Sequence, residues 1–170
     1  ASGPWSVLDL PALRTIIGPD TDNEYLYIQA FGGGRVNLSG VTNILGPLGY
    51  GGGPRGIQIL ADGNSSVVDL SALTDFLDNG NQPASKYEFR NGGSVLIGNL
   101  RTAIGLSLRA ANGQTISLPL LTSFKHSVSQ GNGEVYLSAS GPGSVLDLRA
   151  LRTIIGPDTD NEYLYIQAFG

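Results

Sequence analysis

The acidic segment GPDTDNEY occurs twice in this chain and is the clearest candidate for metal chemistry. Its carboxylate residues are Asp20, Asp22 and Glu24 in the first copy and Asp158, Asp160 and Glu162 in the second. Alternating carboxylates beside an asparagine supply the hard oxygen ligands that Ca²⁺ prefers. The complete Asp-x-Asx-x-Asx-Gly pattern of a calcium loop is missing, and the proline favours a turn here. The segment therefore predicts either a calcium site or a solvated acidic turn, and no other cofactor is predicted.

Charged residues at alternate positions give the best signal for an enzyme. Lys86, Glu88 and Arg90 share the outward face of a predicted strand. Hydrolysis of a polysaccharide needs two facing carboxylates, and the residues that we align with Glu88 in the neighbouring repeats are Gln58 and Ser107. A ladder of opposite charges between neighbouring strands is then the simpler interpretation. We predict no catalytic residues, with a polysaccharide lyase or hydrolase as the alternative.

Exposed tyrosines are a second candidate site. Tyr25, Tyr27, Tyr136, Tyr163 and Tyr165 alternate with apolar residues and should point outward. Tyr136 and Tyr165 fall at the same position of neighbouring repeats, so their rings should lie about 4.8 Å apart. Such a row can stack on sugar rings or pack against a neighbouring molecule. The alternative is that adjacent rings only cover each other.

A repeated apolar pattern predicts the elements that hold these residues. Apolar residues recur with the spacing φ-x-φ-x-x-φ-x-x-φ in segments that start at Leu8, Val36, Val68, Val95, Ile116 and Leu146. A second motif follows each segment and alternates apolar and polar residues, which predicts a strand with one buried face. Its instances are Leu26-Ile28-Ala30, Ile57-Ile59-Ala61, Tyr87-Phe89-Asn91, Leu106-Leu108-Ala110, Val135-Leu137-Ala139 and Leu164-Ile166-Ala168.

The two motifs together predict a solenoid of about six coils, each 21 to 32 residues long. The length varies almost entirely in the connection between the motifs, so the inserted loops should lie at one corner of a constant core. The shortest connection, Ile104-Gly105, should leave a notch there. The predicted fold class is all-β, a single parallel β-helix over residues 1–170, and a leucine-rich-repeat-like solenoid is the alternative.

The repeats resemble those of a known group of proteins. GGGRVNLSGVTNI, SSVVDLSALTDF, GQTISLPLLTSF and VYLSASGPGSVLDL are similar to the β-helix repeats of very large secreted bacterial surface and fibre proteins. The resemblance covers the whole chain and is compositional, without a catalytic signature. It implies an extracellular or cell-surface protein with a structural or adhesive role.

The opening segment, 1–32, returns almost unchanged as segment 139–170 at the end of the chain. All but two positions are identical, and the differences are Trp5 against Gly143 and Pro11 against Arg149. Five coils separate the two starting points, so the chain comprises one super-repeat (1–138) and the first coil of the next (139–170). We expect a window on a longer array that forms a structural rod or filament, continuing head to tail and associating laterally. The alternatives are a carbohydrate-binding or polysaccharide-degrading β-helix and an engineered solenoid with a duplicated terminal coil.

Composition limits the remaining partners. The net charge of −4 and the isoelectric point near 4.8 disfavour nucleic acid. The sequence offers no apolar stretch of about 18 residues for insertion into a membrane. Cysteine is absent, which excludes thiolate chemistry, and the single histidine, His126, is accompanied by no G-x-S-x-G motif for serine hydrolysis. Polysaccharide and the protein itself remain as predicted partners.

Overall fold

The computed structural model describes residues 1–47, 53–80, 84–126, 133–158 and 161–170. These residues contain no helix and form eighteen strands. The strands are β1 (Val7–Asp9), β2 (Thr15–Ile17), β3 (Tyr25–Phe31), β4 (Arg35–Asn37), β5 (Asn43–Gly46), β6 (Gly56–Asp62), β7 (Val67–Asp69), β8 (Asp75–Asp78), β9 (Ser85–Arg90), β10 (Ser94–Leu96), β11 (Thr102–Ile104), β12 (Leu106–Ala111), β13 (Thr115–Ser117), β14 (Ser123–Lys125), β15 (Glu134–Ser140), β16 (Val145–Asp147), β17 (Thr153–Ile155) and β18 (Tyr163–Phe169).

Except at one break in sheet 1, each strand pairs in parallel with the strand three places earlier in the chain. Sheet 1 contains β1, β4, β7 and β10 and resumes, after a break, as β13 and β16. Sheet 2 contains β2, β5, β8, β11, β14 and β17, and sheet 3 contains β3, β6, β9, β12, β15 and β18. One coil is thus three strands, and six coils stack over about five axial steps. The predicted parallel β-solenoid is confirmed, and strands on all three sides of the coil leave the leucine-rich-repeat alternative without support.

The inward residues of the three sheets make one apolar core. In the inner coils the predicted anchors are buried, and Leu38, Leu70, Ile97 and Leu118 are each at most 4% exposed. Burial of such a side chain contributes roughly 1.5–3 kcal/mol, so the stacked anchors are the main source of stability. In the first coil, whose outer side has no described neighbour, Leu8 is 47% exposed.

The strands of sheet 2 were not predicted from the sequence. Its strands have three or four residues and centre on the last anchor of the first motif, such as Ile16, Ile44 or Phe76. A three-residue strand has one inward residue, so it cannot show a period of two. The connections that follow sheet 2 carry the inserted loops, and the shortest is Gly105 alone, at φ 68° between β11 and β12.

The corner between sheets 3 and 1 needs the left-handed backbone region. The residue three places before each first anchor has a positive φ in all six coils, and these residues are Trp5 (74°), Gly33 (89°), Ser65 (66°), Gly92 (82°), Gly113 (78°) and Gly143 (74°). Side chains with a Cβ are disfavoured there. The turn therefore favours glycine, which four of the six coils have at this position.

The third coil corrects one predicted alignment. Tyr87 registers with Ile59 and Leu108, two residues further along the strand than we aligned it. Ser85 takes the inward position before it, because its hydroxyl donates to Asp78 Oδ2 (2.5 Å) and accepts from the Ile57 N–H (2.8 Å). Because Ser85 is polar, the pattern of apolar residues in the sequence did not reveal this register.

The same shift changes the partners of the charged strand. Gln58 and Ser107 register with Lys86, and not with Glu88 as the sequence predicted. Glu88 registers with Leu60, and Arg109 is the next residue after the paired Leu108 on the other side.

A break in sheet 1 separates β10 from β13. Pairing between β9 and β12 ends at Tyr87 and Leu108, and most Cα atoms of β10 lie more than 8 Å from those of β13. Tyr87 and Phe89, in an edge-to-face pair, stand where coil 2 has Ile59 and Ala61. The Tyr87 hydroxyl donates to the Val95 carbonyl (2.9 Å) on β10.

The Gln114 side chain makes two hydrogen bonds beside this break. The Gln114 side chain donates to the Phe89 carbonyl, and its Oε1 accepts from the Ala111 N–H at 3.3 Å. Two large rings and one side-chain amide thus replace the sheet pairing along this part of the wall.

Candidate functional site

The first acidic segment is tied to the coil that follows it. Arg55, whose side chain is 1% exposed, donates to the Asp20 carbonyl and to Asp22 Oδ1, both at 3.3 Å. Asn23, at φ 60°, donates its N–H to the Pro54 carbonyl (2.9 Å). Asp20 and Glu24 remain exposed. The segment is therefore a link between coils 1 and 2.

The second acidic segment is tied to the coil that precedes it. The Glu162 carboxylate is fully buried, and its Oε2 lies 3.6 Å from His126 Nδ1. The other ring nitrogen of His126 lies 3.2 Å from the Gly133 carbonyl. Asp158 is exposed, and Asp160 lies outside the described residues.

The described carboxylates do not converge on a common point. Among the described residues, no group of three or more His, Asp or Glu side chains is close enough to hold a metal ion. Asp22 faces the Arg55 guanidinium, a positive group that competes with a metal ion, and Glu162 lies against the His126 ring. Calcium binding that involves Asp160 stays a prediction.

The tyrosines point outward from sheet 3 as predicted, and their rings are stacked. The Tyr136 and Tyr165 rings lie 4.8 Å apart at 17°, and Tyr163 stacks on Tyr165 at 6.0 Å. In the first coil, Tyr25 and Tyr27 are 6.1 Å apart and tilted. The Arg109 guanidinium covers the remaining face of Tyr136 at 3.6 Å from the ring centroid.

This stacking decides which parts of the rings are accessible. Both faces of Tyr136 are covered, one by Tyr165 and one by Arg109, so a sugar ring meets edges and hydroxyls there. The Tyr136 hydroxyl donates to Glu134 Oε2 (2.5 Å), and this hydrogen bond raises the pKa of Tyr136 above its usual value. The geometry favours rings that cover each other, and sugar binding by these rings stays a prediction.

A cleft of about 860 Å³ opens beside the stacked rings, where the wall between coils 3 and 4 is split. Its lining includes Arg90, Arg109, Gln114, Tyr136 and Gln167. The Arg90 guanidinium is 3.3 Å from Glu88 on the same strand, so this ion pair is not the ladder between neighbouring strands that the sequence predicted. Arg109 was not identified from the sequence, because a lone arginine in an alternating strand gives no signal of what it will stack on.

Within the described residues there is no helix long and apolar enough to cross a membrane. Comparison with protein-family models, with curated proteins and with solved structures found no significant match. The geometry described above, together with the repeat in the sequence, is therefore the basis for any statement about function.

Proposed function

We propose that this chain is a structural segment of a β-solenoid rod, in which each super-repeat continues directly into the next. The carrying observation is the register of the duplicated coil. The strand YLYIQAF pairs over all seven residues with β6 when it stands in the first coil, and over all seven with β15 when it stands in the last. One sequence thus pairs with the third strand of coil 5 on one side and with the third strand of coil 2 on the other.

The acidic segment supports the same proposal. Its two copies together use both sides, Asp22 toward the following coil and Glu162 toward the preceding one. Glu24, the equivalent of Glu162, is exposed where no preceding coil is described. In a continuous array every copy would make both links, and the buried Glu24 equivalent would face the equivalent of His126.

The proposed setting is extracellular or at a cell surface, where a rod built from repeats can act as a spacer or an adhesive fibre. The resemblance of the repeats to those of secreted bacterial surface and fibre proteins supports this setting. A chain without cysteine is compatible with it, because the stacked coils supply the stability that disulfides supply in small secreted domains.

A lengthened chain tests the continuity of the rod. Residues 33–170 are appended after Gly170, which adds five coils, and the particle should lengthen by about 24 Å at constant cross-section. Small-angle scattering and negative-stain microscopy measure that length. A matched control joins the same segments through a flexible Gly-Ser linker, which should give two hinged bodies. A lengthened chain that scatters like the control would overturn the proposal.

A second candidate function is binding of an acidic polysaccharide in the cleft. Arg109 and Arg90 provide cations, and Gln167 provides a neutral hydrogen-bonding group in the cleft. Calorimetry with acidic oligosaccharides should detect binding that Arg109→Ala weakens by at least tenfold. Arg149→Ala is the control, because Arg149 is exposed in the turn that follows β16, away from the cleft. Absence of any heat with the parent protein would remove this candidate.

A further inference from the structure

The outer face of sheet 2 carries an apolar stripe. In each strand of this sheet the central residue points into the core, and the residue after it points outward. These outward residues are Ile17, Leu45, Leu77, Ile104, Lys125 and Ile155, and they stand in continuous register. Five of the six are Ile or Leu, on a face that is expected to be polar when solvent covers it.

The stripe is accessible along its length. Ile17 is 68% exposed and Ile155 is 46% exposed, and the four residues between them are half-buried. Six strands at about 4.8 Å make a stripe about 24 Å long. The parallel column on the same face is polar and contains Thr15, Asn43, Asp75, Thr102, Ser123 and Thr153. An apolar stripe with a polar border is the composition of a contact surface.

The two charges on this face are placed for self-recognition. Asp75 in coil 3 and Lys125 in coil 5 take part in no ion pair among the described residues, and Asp75 accepts only from the adjacent Thr74 hydroxyl (2.8 Å). Coil 4, which carries Ile104, lies midway between them. A two-fold axis through Ile104 and parallel to the strands therefore brings Lys125 of each copy beside Asp75 of the other.

We propose that the stripe binds the stripe of a second copy of this chain, with the two solenoid axes antiparallel. Ile104 then meets its own copy, Leu45 meets Ile155, and the two Lys125–Asp75 pairs flank the centre. The contact is isologous and closed. A parallel arrangement would place each coil against the same coil of the partner copy, so it would leave Lys125 facing Ser123 and both charges unpaired.

The longer repeat preserves this match. Ile155 is the equivalent of Ile17, so the column recurs once in every super-repeat of five coils. The same two-fold relation pairs every Lys125 equivalent with an Asp75 equivalent along the array. A single chain presents a narrow stripe and should bind weakly, whereas linked repeats add their contacts. Arg101, exposed at the rim of coil 4, lies opposite Arg101 of the second copy. Solvent screens the repulsion between these two positive charges.

Cross-linking tests the proposal, because the chain contains no cysteine. Ile104→Cys should form a disulfide-linked dimer under mild oxidation at least tenfold faster than Leu96→Cys, an exposed residue on sheet 1. A mixture of Leu45→Cys and Ile155→Cys should give the mixed dimer in excess over either homodimer. Equal rates for Ile104→Cys and Leu96→Cys, or homodimers in excess, would overturn the proposal.

Charge exchange provides the second measurement. Added to Ile104→Cys, Lys125→Glu should slow dimer formation at least tenfold, and Lys125→Asp together with Asp75→Lys should restore it. Melting curves of each variant confirm that the fold is kept. An unaffected rate with Lys125→Glu would overturn the antiparallel pairing. Continuity of the coils uses other surfaces, so the lengthened chain can succeed or fail independently of this result.

Discussion

Coils 1 and 6 differ at two positions, and one of them falls on a backbone with restricted geometry. Trp5 and Gly143 occupy the corner between sheets 3 and 1 with the same φ of 74°. A tryptophan in the left-handed region is strained, and Trp5 is 95% exposed, so packing does not compensate. The duplicated coil thus compares a strained and a relaxed version of one turn.

Trp5→Gly should raise the free energy of unfolding by about 1 kcal/mol, because the left-handed conformation carries no Cβ penalty in glycine. Chemical denaturation measures the change. Gly143→Trp in the last coil should lower stability by a similar amount. A destabilising Trp5→Gly would show that the exposed ring makes a contact that offsets the strain.

Leu70 tests the register of the core. It is fully buried directly after β7, two residues after Val68, and Leu70→Asp should cost several kcal/mol because the charge has no partner there. Leu96→Asp, on the outward face of the neighbouring strand, should have little effect, since Leu96 is 41% exposed. Thermal melting compares the two, and an unchanged melting temperature for Leu70→Asp would contradict the register.

Asp78 should make stability depend on pH. Burial raises its pKa, although hydrogen bonds from Ser85 and the Gly80 N–H and the charge of Arg55 oppose the shift. A carboxyl with a raised pKa binds its proton more tightly in the folded state, so this group's contribution to stability falls as pH rises above the ordinary value of about 4.

Comparison with an amide isolates this effect. Relative to Asp78→Asn, the parent should be more stable at pH 4.5 than at pH 7, as measured by urea unfolding at both values. The difference between parent and variant cancels groups that titrate in both proteins. A difference that is constant, or that changes in the opposite direction, would contradict the shift.

At the scale of the elements, the alternation of apolar residues predicted the strands of sheet 3 and the inward anchors of sheet 1. This worked because a strand of six or seven residues repeats the inward–outward choice several times. The short strands of sheet 2 have only one inward residue each, so the sequence shows no period of two there. Ser85 misplaced the third coil because its polar side chain is satisfied by Asp78, a contact between segments that a linear pattern does not show.

The candidate sites divide in the same way. The outward direction of the tyrosines and the stacking of Tyr136 on Tyr165 followed from strand period and coil register. The partners of the acidic segments did not, because Arg55 and His126 reach them from neighbouring coils. Pairing across coils depends on loop paths, which composition does not fix.

The break in sheet 1 should close when the two rings are removed. The double variant Tyr87→Ile and Phe89→Ala restores the residues that coil 2 has at these positions, so β10 and β13 should pair. Amide exchange at residues 94–96 and 115–117 should slow by roughly tenfold. Tyr87→Phe keeps the ring and loses the hydroxyl, so it should leave exchange fast and cost about 1 kcal/mol. Unchanged exchange in the double variant would mean that the rings are not the cause.

At the scale of the whole molecule, stability is a sum over neighbouring coils. The last junction is extensively paired, because β15 and β18 register over seven residues and Glu162 is buried against His126. The junction between coils 4 and 5 is the sparsest, because β10 and β13 do not pair and β12 registers with β15 over four residues. Cooperativity along the solenoid is therefore uneven, with its weakest boundary between coils 4 and 5.

That boundary has a mechanical consequence. Hydrogen bonds between coils run along the axis, so tension on the two ends loads the junctions in series, and the sparsest one should yield first. In an optical trap, the first rupture should separate coils 1–4 from coils 5 and 6, and Tyr87→Ile with Phe89→Ala should raise its force. A first rupture force that this variant leaves unchanged would place the yield point elsewhere. In the proposed array this junction would recur once in every super-repeat, so the array would lengthen under load by opening these junctions and shorten again when they close.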